Sequence, residues 1–327
     1  MKYFYAISAL ALATLLAGCA HSKEEAVVPP CDCPALPVQA NGVGPWYTGP
    51  ALTYDLPCFN PNNQREIVYY KGETNNLTNY GLYTANLDTH QQHFIHLGND
   101  FYMQVRWGST GWLALSKNNQ VWKMKANGDS LTQLTFGTPH YMPQWSPDGQ
   151  RIVCREPDTR GAPLVIFDKN GRRLAQLNGF PVNYCESWSP DGTKLLIIYG
   201  PLANDQGYGV GVYDLATNHA ELLVDTQVPN NSSGNLTGAV WLPDSRNVVW
   251  AAGTGIYTTD TQTRVTKQLH TGCDTRLYLR PDVSADGRTI LVCRVDSKSL
   301  DNGQGVYVES NLWLMDIDGS NERKLVL

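Results

Sequence analysis

A five-residue motif that recurs along the chain constrains the fold more than any other feature. Trp145–Gly149 reads WSPDG, and Trp188–Gly192 repeats it exactly in composition and order. Weaker copies begin at four further positions, which are Phe59, Trp107, Trp241 and Val283. The six copies follow one another about every 45 residues, a spacing typical of repeat architectures in which each unit is a small sheet.

The motif has the chemistry of a tight turn at the end of a strand. Serine suits the first position of a type I turn, proline fixes φ at the second, and glycine tolerates positive φ at the end. Strand-forming runs follow the motif, such as Ile152–Cys154 and Leu195–Ile198, and a second turn signal, Asp168–Gly171, separates two more strands. The pattern of turns and strand-forming runs therefore predicts four antiparallel strands in each unit. The predicted fold class is all-β, a six-bladed β-propeller of four-stranded antiparallel blades.

The pattern WSPDG, then a strand, an Asp-x-Asp-Gly turn and Arg-x-Leu resembles the TolB-type propeller repeat. It extends from about Thr53 to Leu327. The resemblance implies the propeller fold, with two departures. TolB has an α/β domain ahead of its propeller, where this sequence predicts only a linker, and TolB is a soluble periplasmic protein, whereas this chain carries a lipidation signal. The resemblance therefore implies the fold and leaves the partners open.

The start of the chain resembles a bacterial lipoprotein signal. Tyr3–Leu16 is an uncharged, mostly apolar run of 14 residues, shorter than the roughly 20 residues of a membrane-spanning helix and typical of a secretory signal. The run ends in LAGC, which resembles a lipobox. We predict that residues 1–18 are removed and that Cys19 is lipidated. Ala20, directly after the cysteine, favours sorting of the lipoprotein to the outer membrane. The alternative is an ordinary secretory signal followed by a chance cysteine.

Three segments follow from these signals. Residues 1–18 are the signal peptide, residues 19–52 are the lipidated cysteine and a proline-rich linker, and residues 53–327 are the propeller. Repeated prolines predict an extended, semi-rigid linker. The predicted location is the bacterial outer membrane, with the propeller lipid-anchored and facing the periplasm.

Composition and motifs exclude several function classes. The formal net charge is −5 and no basic stripe is present, which argues against nucleic acid as a partner. The sequence has no nucleophile elbow and no phosphate-binding glycine loop. His90, His93 and His96 are three residues apart, and such residues face opposite ways in a strand. We therefore predict no enzyme activity, no cofactor and no metal site. The aspartates of the repeated motif are assigned to their turns.

The predicted function is that of a protein-binding module, a docking or scaffold propeller for an envelope protein. Loops carry binding function more often than strands do, and the long insertions lie on the face opposite the WSPDG turns. Among them are Lys71–Tyr80 and Asp296–Ser310. The candidate partner-binding residues near the channel mouth on that face are His140, Tyr141, Glu186, His270, Arg276, Tyr278 and Arg280. Glu186 either lines the channel or forms an ion pair with Arg106 or Arg280.

Two other functions stay open. The alternative to docking is a periplasmic enzyme acting on polysaccharides or oligosaccharides at the channel mouth, because some proteins with similar repeats are oligosaccharide lyases with histidine-rich metal centres. Only His140 and His270 are placed to serve such a centre. A third hypothesis is a purely structural propeller within a larger envelope assembly.

The sequence contains 8 cysteines, and an oxidising compartment permits disulfides. We predict that Cys154 pairs with Cys185 and that Cys273 pairs with Cys293. Cys58 is expected to pair with Cys31 or Cys33, which would join the linker to the first blade. Spacing alone does not fix the connectivity.

Overall fold

The computed structural model describes nine ranges of the chain, which are residues 52–73, 76–95, 102–157, 163–177, 182–199, 209–225, 236–273, 275–299 and 306–327. These ranges form six separate antiparallel sheets of four strands each. Each sheet is one blade. In the part of the chain that is described, no helix is long and apolar enough to cross a membrane.

The first three blades contain strands β1 to β12. Blade 1 consists of β1 Leu52–Asn60, β2 Asn63–Glu73, β3 Asn76–Asn86 and β4 Gln92–Ile95. Blade 2 consists of β5 Tyr102–Trp107, β6 Trp112–Lys117, β7 Gln120–Lys125 and β8 Thr132–Gln133. Blade 3 consists of β9 Tyr141–Trp145, β10 Arg151–Arg155, β11 Leu164–Asp168 and β12 Arg173–Leu177.

The last three blades contain strands β13 to β24. Blade 4 consists of β13 Val182–Trp188, β14 Lys194–Tyr199, β15 Gly209–Asp214 and β16 His219–Asp225. Blade 5 consists of β17 Leu236–Trp241, β18 Asn247–Ala252, β19 Gly255–Asp260 and β20 Thr266–Thr271. Blade 6 consists of β21 Arg276–Val283, β22 Thr289–Ser299, β23 Val306–Asp316 and β24 Arg323–Lys324.

Sequence order is spatial order in every blade. Each strand pairs with the next along the chain, and the first strand of each blade packs against the first strands of its two neighbours, so that β21 meets β1 and closes the ring. The all-β six-bladed fold is therefore confirmed. Each of the six described sheets consists of four strands that are consecutive in the chain, so none of them takes a strand from the other terminus.

The seam between blades 1 and 6 is closed by side chains rather than by a shared strand. Tyr54, Phe59 and Tyr69 of blade 1 pack with apolar side chains of blade 6. The Tyr54 carbonyl accepts hydrogen bonds from Ser310 Oγ at 2.5 Å and from Cys293 Sγ at 3.0 Å. These contacts join blade 1 to blade 6.

The repeated serine and aspartate hold the turn between the first and second strands of a blade. Ser146 Oγ donates to Asp148 Oδ1 at 2.5 Å, and the Arg151 N–H donates to Ser146 Oγ at 2.9 Å. The same contacts recur at Ser189 with Asp191 and at Ser284 with Asp286. The predicted structural role of the motif aspartates is therefore confirmed.

The motif tryptophans Trp145 and Trp188 pack between blades. A Cβ atom placed on Gly108 of blade 2 would lie 2.8 Å from Cγ of Trp145 in blade 3, so the indole ring rests directly on that glycine. One blade further, Trp188 Nε1 donates to the Gln144 carbonyl at 3.1 Å. Each ring thus ties its blade to the one before it.

A bulge interrupts the inner strands three residues before the motif tryptophan position. The residues there have positive φ, 53° at Leu56, 53° at Gln104, 57° at Met142 and 53° at Arg280. The register of the inner strand shifts beside each of them. A bulge bends its strand and changes the direction of the following side chains, which here come to line the channel.

Replacing Gln104 by leucine is expected to raise the free energy of unfolding by about 1–3 kcal/mol. Both amide atoms of Gln104 are buried without a hydrogen-bond partner, and the side chain lines a small apolar cavity with Leu56 and Val105. Leucine tolerates this backbone, because Leu56 has the same φ at the matching position of blade 1. Urea unfolding measures the change, and an unchanged or lower stability would contradict the expectation.

Two predicted loop insertions are instead long hairpins. Lys71–Tyr80 was expected to be a loop, yet β2 and β3 stay paired from Glu66 with Asn86 out to Glu73 with Asn76. Within Asp296–Ser310, β22 and β23 likewise pair out to Ser299 with Val306. Backbone pairing continues through both segments because the hydrogen bonds of the ladder do not depend on side-chain type. The loop interpretation was therefore wrong for the paired residues, while residues 74–75 and 300–305 lie outside the described part of the chain.

Candidate functional site

The inner strands enclose a central channel with a cavity of about 290 Å³. All six inner strands contribute to its wall. The wall continues into the turns between first and second strands, where it is formed by Pro61, Ser109, Pro147, Pro190 and Ala285. We call this side of the propeller the turn face. The described cavity therefore opens on the turn face, opposite the face that the sequence favoured for binding.

One arginine organises the polar part of the channel wall. Arg106 Nε donates to Gln144 Oε1 at 3.1 Å, and its Nη1 donates to the Val105 carbonyl at 3.2 Å. The remaining nitrogen, Nη2, lies 3.9 Å from Glu186 Oε2. The guanidinium therefore bridges blades 2, 3 and 4. The predicted ion pair of Glu186 with Arg106 is present at this long distance.

Glu186 is a buried carboxyl group without a hydrogen bond. Its side chain is 1% exposed, and neither oxygen accepts a hydrogen bond from the described residues. Burial raises the pKa of Glu186 above its usual range, while Arg280 and Arg106 act in the opposite direction. Burial dominates because a carboxylate loses its hydration without gaining donors.

Asp282 is the second carboxyl group of the channel. Its Oδ2 accepts the Phe59 N–H at 2.7 Å, across the seam between blades 6 and 1. Burial raises the pKa of Asp282, and the nearby Arg106 guanidinium partly offsets that effect. The channel wall thus combines two carboxyl groups with arginine, next to the apolar rings of Trp107, Trp145 and Trp188.

The contribution of Glu186 to the stability of the fold is expected to fall as the pH rises above about 4.3, the ordinary pKa of glutamate, because its pKa is raised in the folded protein. A carboxyl group whose pKa is raised on folding contributes stability below its unfolded pKa, and that contribution is lost as the pH rises through the folded value. In Glu186→Gln this part of the loss should disappear, leaving the contribution of Asp282. Urea unfolding of both proteins between pH 4 and pH 8 measures it, and parallel profiles would contradict the assignment.

The structure separates the seven candidate binding residues into three places. Glu186 lies on the channel wall, and Arg280 acts electrostatically on it from the bulge of β21. His140 is buried at the edge of blade 3, 3.4 Å from Glu156, with its ring edge against Phe167. Tyr141 begins β9 and is partly exposed.

The other three candidates form a network between blades 5 and 6. Tyr278 is fully buried and its hydroxyl donates to Glu322 at 2.9 Å, while His270 Nε2 lies 3.7 Å from the same carboxylate. Arg276 pairs with Asp296 at 2.9 Å. These side chains are engaged within the protein, so the structure does not offer them as exposed interface anchors.

The histidines that the enzyme hypothesis needs are not brought together. His140 and His270 belong to the two separate clusters just described. Among the described residues, no group of three or more His, Cys, Asp or Glu side chains is arranged to hold a metal ion. His90 contacts the Val326 carbonyl at blade 6, whereas His93 contacts the Asn127 carbonyl of blade 2. His96 lies outside the described residues.

The predicted disulfides are not formed. Cys58, Cys154, Cys185 and Cys293 are buried free thiols. Cys154 packs between blades 2 and 3 whereas Cys185 packs between blades 3 and 4, because Cys154 and its neighbour Val153 face opposite sides of their strand. Cys293 instead contacts the seam. Cys273 is disulfide-bonded, so its partner is not Cys293.

Sequence reasoning missed three channel residues, Gln144, Ser187 and Asp282. All three stand immediately before the motif tryptophan position, as Arg106 does in blade 2. A comparison of that position across the six units would have shown a polar residue in four of them. Cys19, Cys31 and Cys33 lie outside the described residues, as do the whole predicted signal and most of the linker.

The sequence matches no protein-family model and no curated protein. Its fold is similar to that of a putative TolB from Agrobacterium tumefaciens, with a TM-score of 0.58 and 17% identity over 74% of this chain and 86% of that one. TolB from Acinetobacter baumannii gives a TM-score of 0.57 and 15% identity, over 84% of this chain and 63% of that one. This chain thus spans less than two thirds of the Acinetobacter protein.

The chain has the fold of TolB and related six-bladed β-propellers. The β-propeller domain of the Trilobed protease from Pyrococcus furiosus is also similar, with a TM-score of 0.55 and 12% identity over 85% of this chain and 98% of that one. In the propeller described here, each blade consists of strands that are consecutive in the chain. The resemblance inferred from the motif is therefore confirmed at the level of the fold.

Proposed function

We propose that this protein is a docking module of the bacterial envelope, anchored by a lipid on Cys19, whose channel mouth on the turn face receives a segment of a protein partner. The observation that carries the proposal is the 290 Å³ cavity that opens among the turns and has buried polar atoms and tryptophan rings in its wall. Concave sites with an apolar lining and a few polar groups are typical of binding sites.

Two further observations support this function. The fold is similar to that of TolB, which is consistent with a protein-binding propeller. The sequence at Leu16–Cys19 resembles a lipobox, and a lipid anchor would hold the propeller at a membrane without a spanning helix. The proposed location is the outer membrane, with the propeller facing the periplasm.

The docking function is tested by closing the mouth. Ala285 lies at the rim of the channel in an exposed turn, so Ala285→Trp places a large ring over the opening. Gln262→Trp is the matched control, because Gln262 is exposed in an outer turn of blade 5. Both variants and the native protein are cross-linked in intact envelopes and purified in detergent.

We expect a stoichiometric protein partner with the native chain and with Gln262→Trp, and loss of that partner with Ala285→Trp. A partner that is retained by Ala285→Trp would refute docking at the channel mouth. A tightly bound divalent metal found by elemental analysis, without any protein partner, would favour the enzyme hypothesis instead.

The anchor is tested separately. Mass spectrometry of the native N-terminal peptide is expected to show a diacylglyceryl group and an acyl chain on Cys19. The variant Cys19→Ala should carry neither group, and the protein should be absent from outer-membrane fractions. An unmodified mature N-terminus at another residue would support the ordinary secretory signal.

A further inference from the structure

The channel holds a small set of polar atoms that the propeller leaves without hydrogen-bond partners. Neither oxygen of Glu186 accepts a hydrogen bond from the described residues, and the Gln144 Nε2 group donates none. Gln144 is 3% exposed. Ser187 Oγ is a fourth buried atom of this kind. All three residues line the cavity, and buried polar atoms are nearly always paired in folded proteins.

Gln144 and Glu186 meet at one arginine side chain. Gln144 Oε1 and Glu186 Oε2 flank the same Arg106 guanidinium, at 3.1 Å from Nε and 3.9 Å from Nη2. Ser187 follows Glu186 directly in β13, where the register shifts. The free atoms therefore belong to neighbouring inner strands of blades 3 and 4.

The charges on the wall disfavour a charged ligand. Arg106 and Arg280 both act electrostatically on Glu186, so a cation would approach a carboxyl group that already has two positive neighbours. An anion would meet Glu186 and Asp282. A buried charge without its own partner is costly, and the best occupant is therefore uncharged.

The number of free donors and acceptors narrows the choice further. Glu186 offers two acceptor oxygens, while Gln144 and Ser187 each offer a donor. A primary carboxamide has two N–H donors and a carbonyl with two lone pairs, whereas a hydroxyl group has only one donor. A carboxamide can therefore pair with Glu186, Gln144 and Ser187 together.

We propose that the channel recognises a side-chain carboxamide, from asparagine or glutamine, of the partner segment, which donates to Glu186 and accepts from Gln144 and Ser187. This specificity rests on the proposed docking function, because the carboxamide arrives on a protein segment that enters from the turn face. Recognition of a carboxamide would then select which partner segment binds.

The proposal is tested with four pentapeptides of alanine, acetylated and N-methylamidated so that their ends carry no primary amide. Their central residue is glutamine, glutamate, lysine or norleucine. Binding to the full chain is followed by the fluorescence of Trp107, Trp145 and Trp188, which line the cavity. The glutamine peptide is expected to bind about tenfold more tightly than each of the others, as the loss of paired buried groups predicts.

Two variants of Glu186 and one matched control separate recognition from folding. Glu186→Met removes both acceptors at similar size and should weaken the glutamine peptide about tenfold. Glu221→Met, on the exposed strand β16, should leave binding unchanged. If Glu186→Met does not fold, Glu186→Gln is used. Its amide can pair with a carboxylate, so we expect it to abolish the preference for glutamine over glutamate.

Three results would overturn the proposal. These are equal or tighter binding of the lysine or glutamate peptide, no binding of the glutamine peptide at millimolar concentration, and tighter binding of a neutral oligosaccharide such as cellotetraose. These results would not refute the docking function. If Ala285→Trp removes the partner, the partner docks at the channel mouth through another kind of side chain. Conversely, the protein could prefer the glutamine peptide while no partner is lost with Ala285→Trp. That result would support the carboxamide site and refute docking.

Discussion

Replacing Gly171 by alanine is expected to lower the free energy of unfolding by about 3–5 kcal/mol. Gly171 has a φ of 89°, in the left-handed region. A Cβ atom there would lie 2.2 Å from the Leu134 carbonyl oxygen of the neighbouring blade. The added methyl group therefore strains its own turn and also forces blades 2 and 3 apart. Urea unfolding measures the loss.

Gly111 provides the control for this substitution. Its φ is 78°, yet a Cβ atom on it would meet nothing within 4 Å. Gly111→Ala therefore carries only the cost of the left-handed backbone, about 1–2 kcal/mol. The difference between the two variants isolates the contact between blades. Equal losses in both would show that the blades move apart without cost, contrary to the close packing seen here.

Replacing Asp282 by leucine is expected to destabilise the propeller by about 3–5 kcal/mol. The Phe59 N–H would lose its acceptor, and the Arg106 guanidinium would lose one of the carboxyl groups that act on it. Both effects fall on the seam, where none of the described strands is shared between blade 6 and blade 1. The measurement is again the free energy of unfolding, together with the denaturant dependence of the transition.

Asp282→Asn is the matched control, because an asparagine side-chain oxygen can still accept the Phe59 N–H. Its expected loss is about 1 kcal/mol. If asparagine and leucine destabilise the protein equally, the charge of Asp282 stabilises the seam and its hydrogen bond does not. If neither substitution destabilises it, the apolar contacts around Tyr54 and Tyr69 close the ring by themselves.

The blade count, the strand order and the turns could be derived from the sequence alone. The WSPDG motif specifies a local hydrogen-bond pattern, from Ser146 to Asp148 and from Arg151 back to Ser146. Such contacts join residues that are at most five apart, so the residue types in a short window determine them. The repeat period then fixed the number of units, and strand alternation fixed the four strands in each.

The candidate site was only partly predictable. The sequence predicted that Glu186 either lines the channel or forms an ion pair with an arginine, and it does line the channel. The preferred face was not the one where the described cavity opens, and Tyr278, His140 and the paired arginines are engaged inside the protein. Loop length indicated where insertions occur, but the burial of a side chain depends on what the next blade places against it.

The sequence by itself determined the propeller, because turn chemistry and strand pairing act over short distances along the chain. The tertiary structure decided which side chains meet in the channel. The bond from Phe59 to Asp282 joins residues 223 apart, and Arg106 reaches three blades at once. Such contacts depend on the bulge of each inner strand and on closure of the ring, and neither has a signature within one repeat.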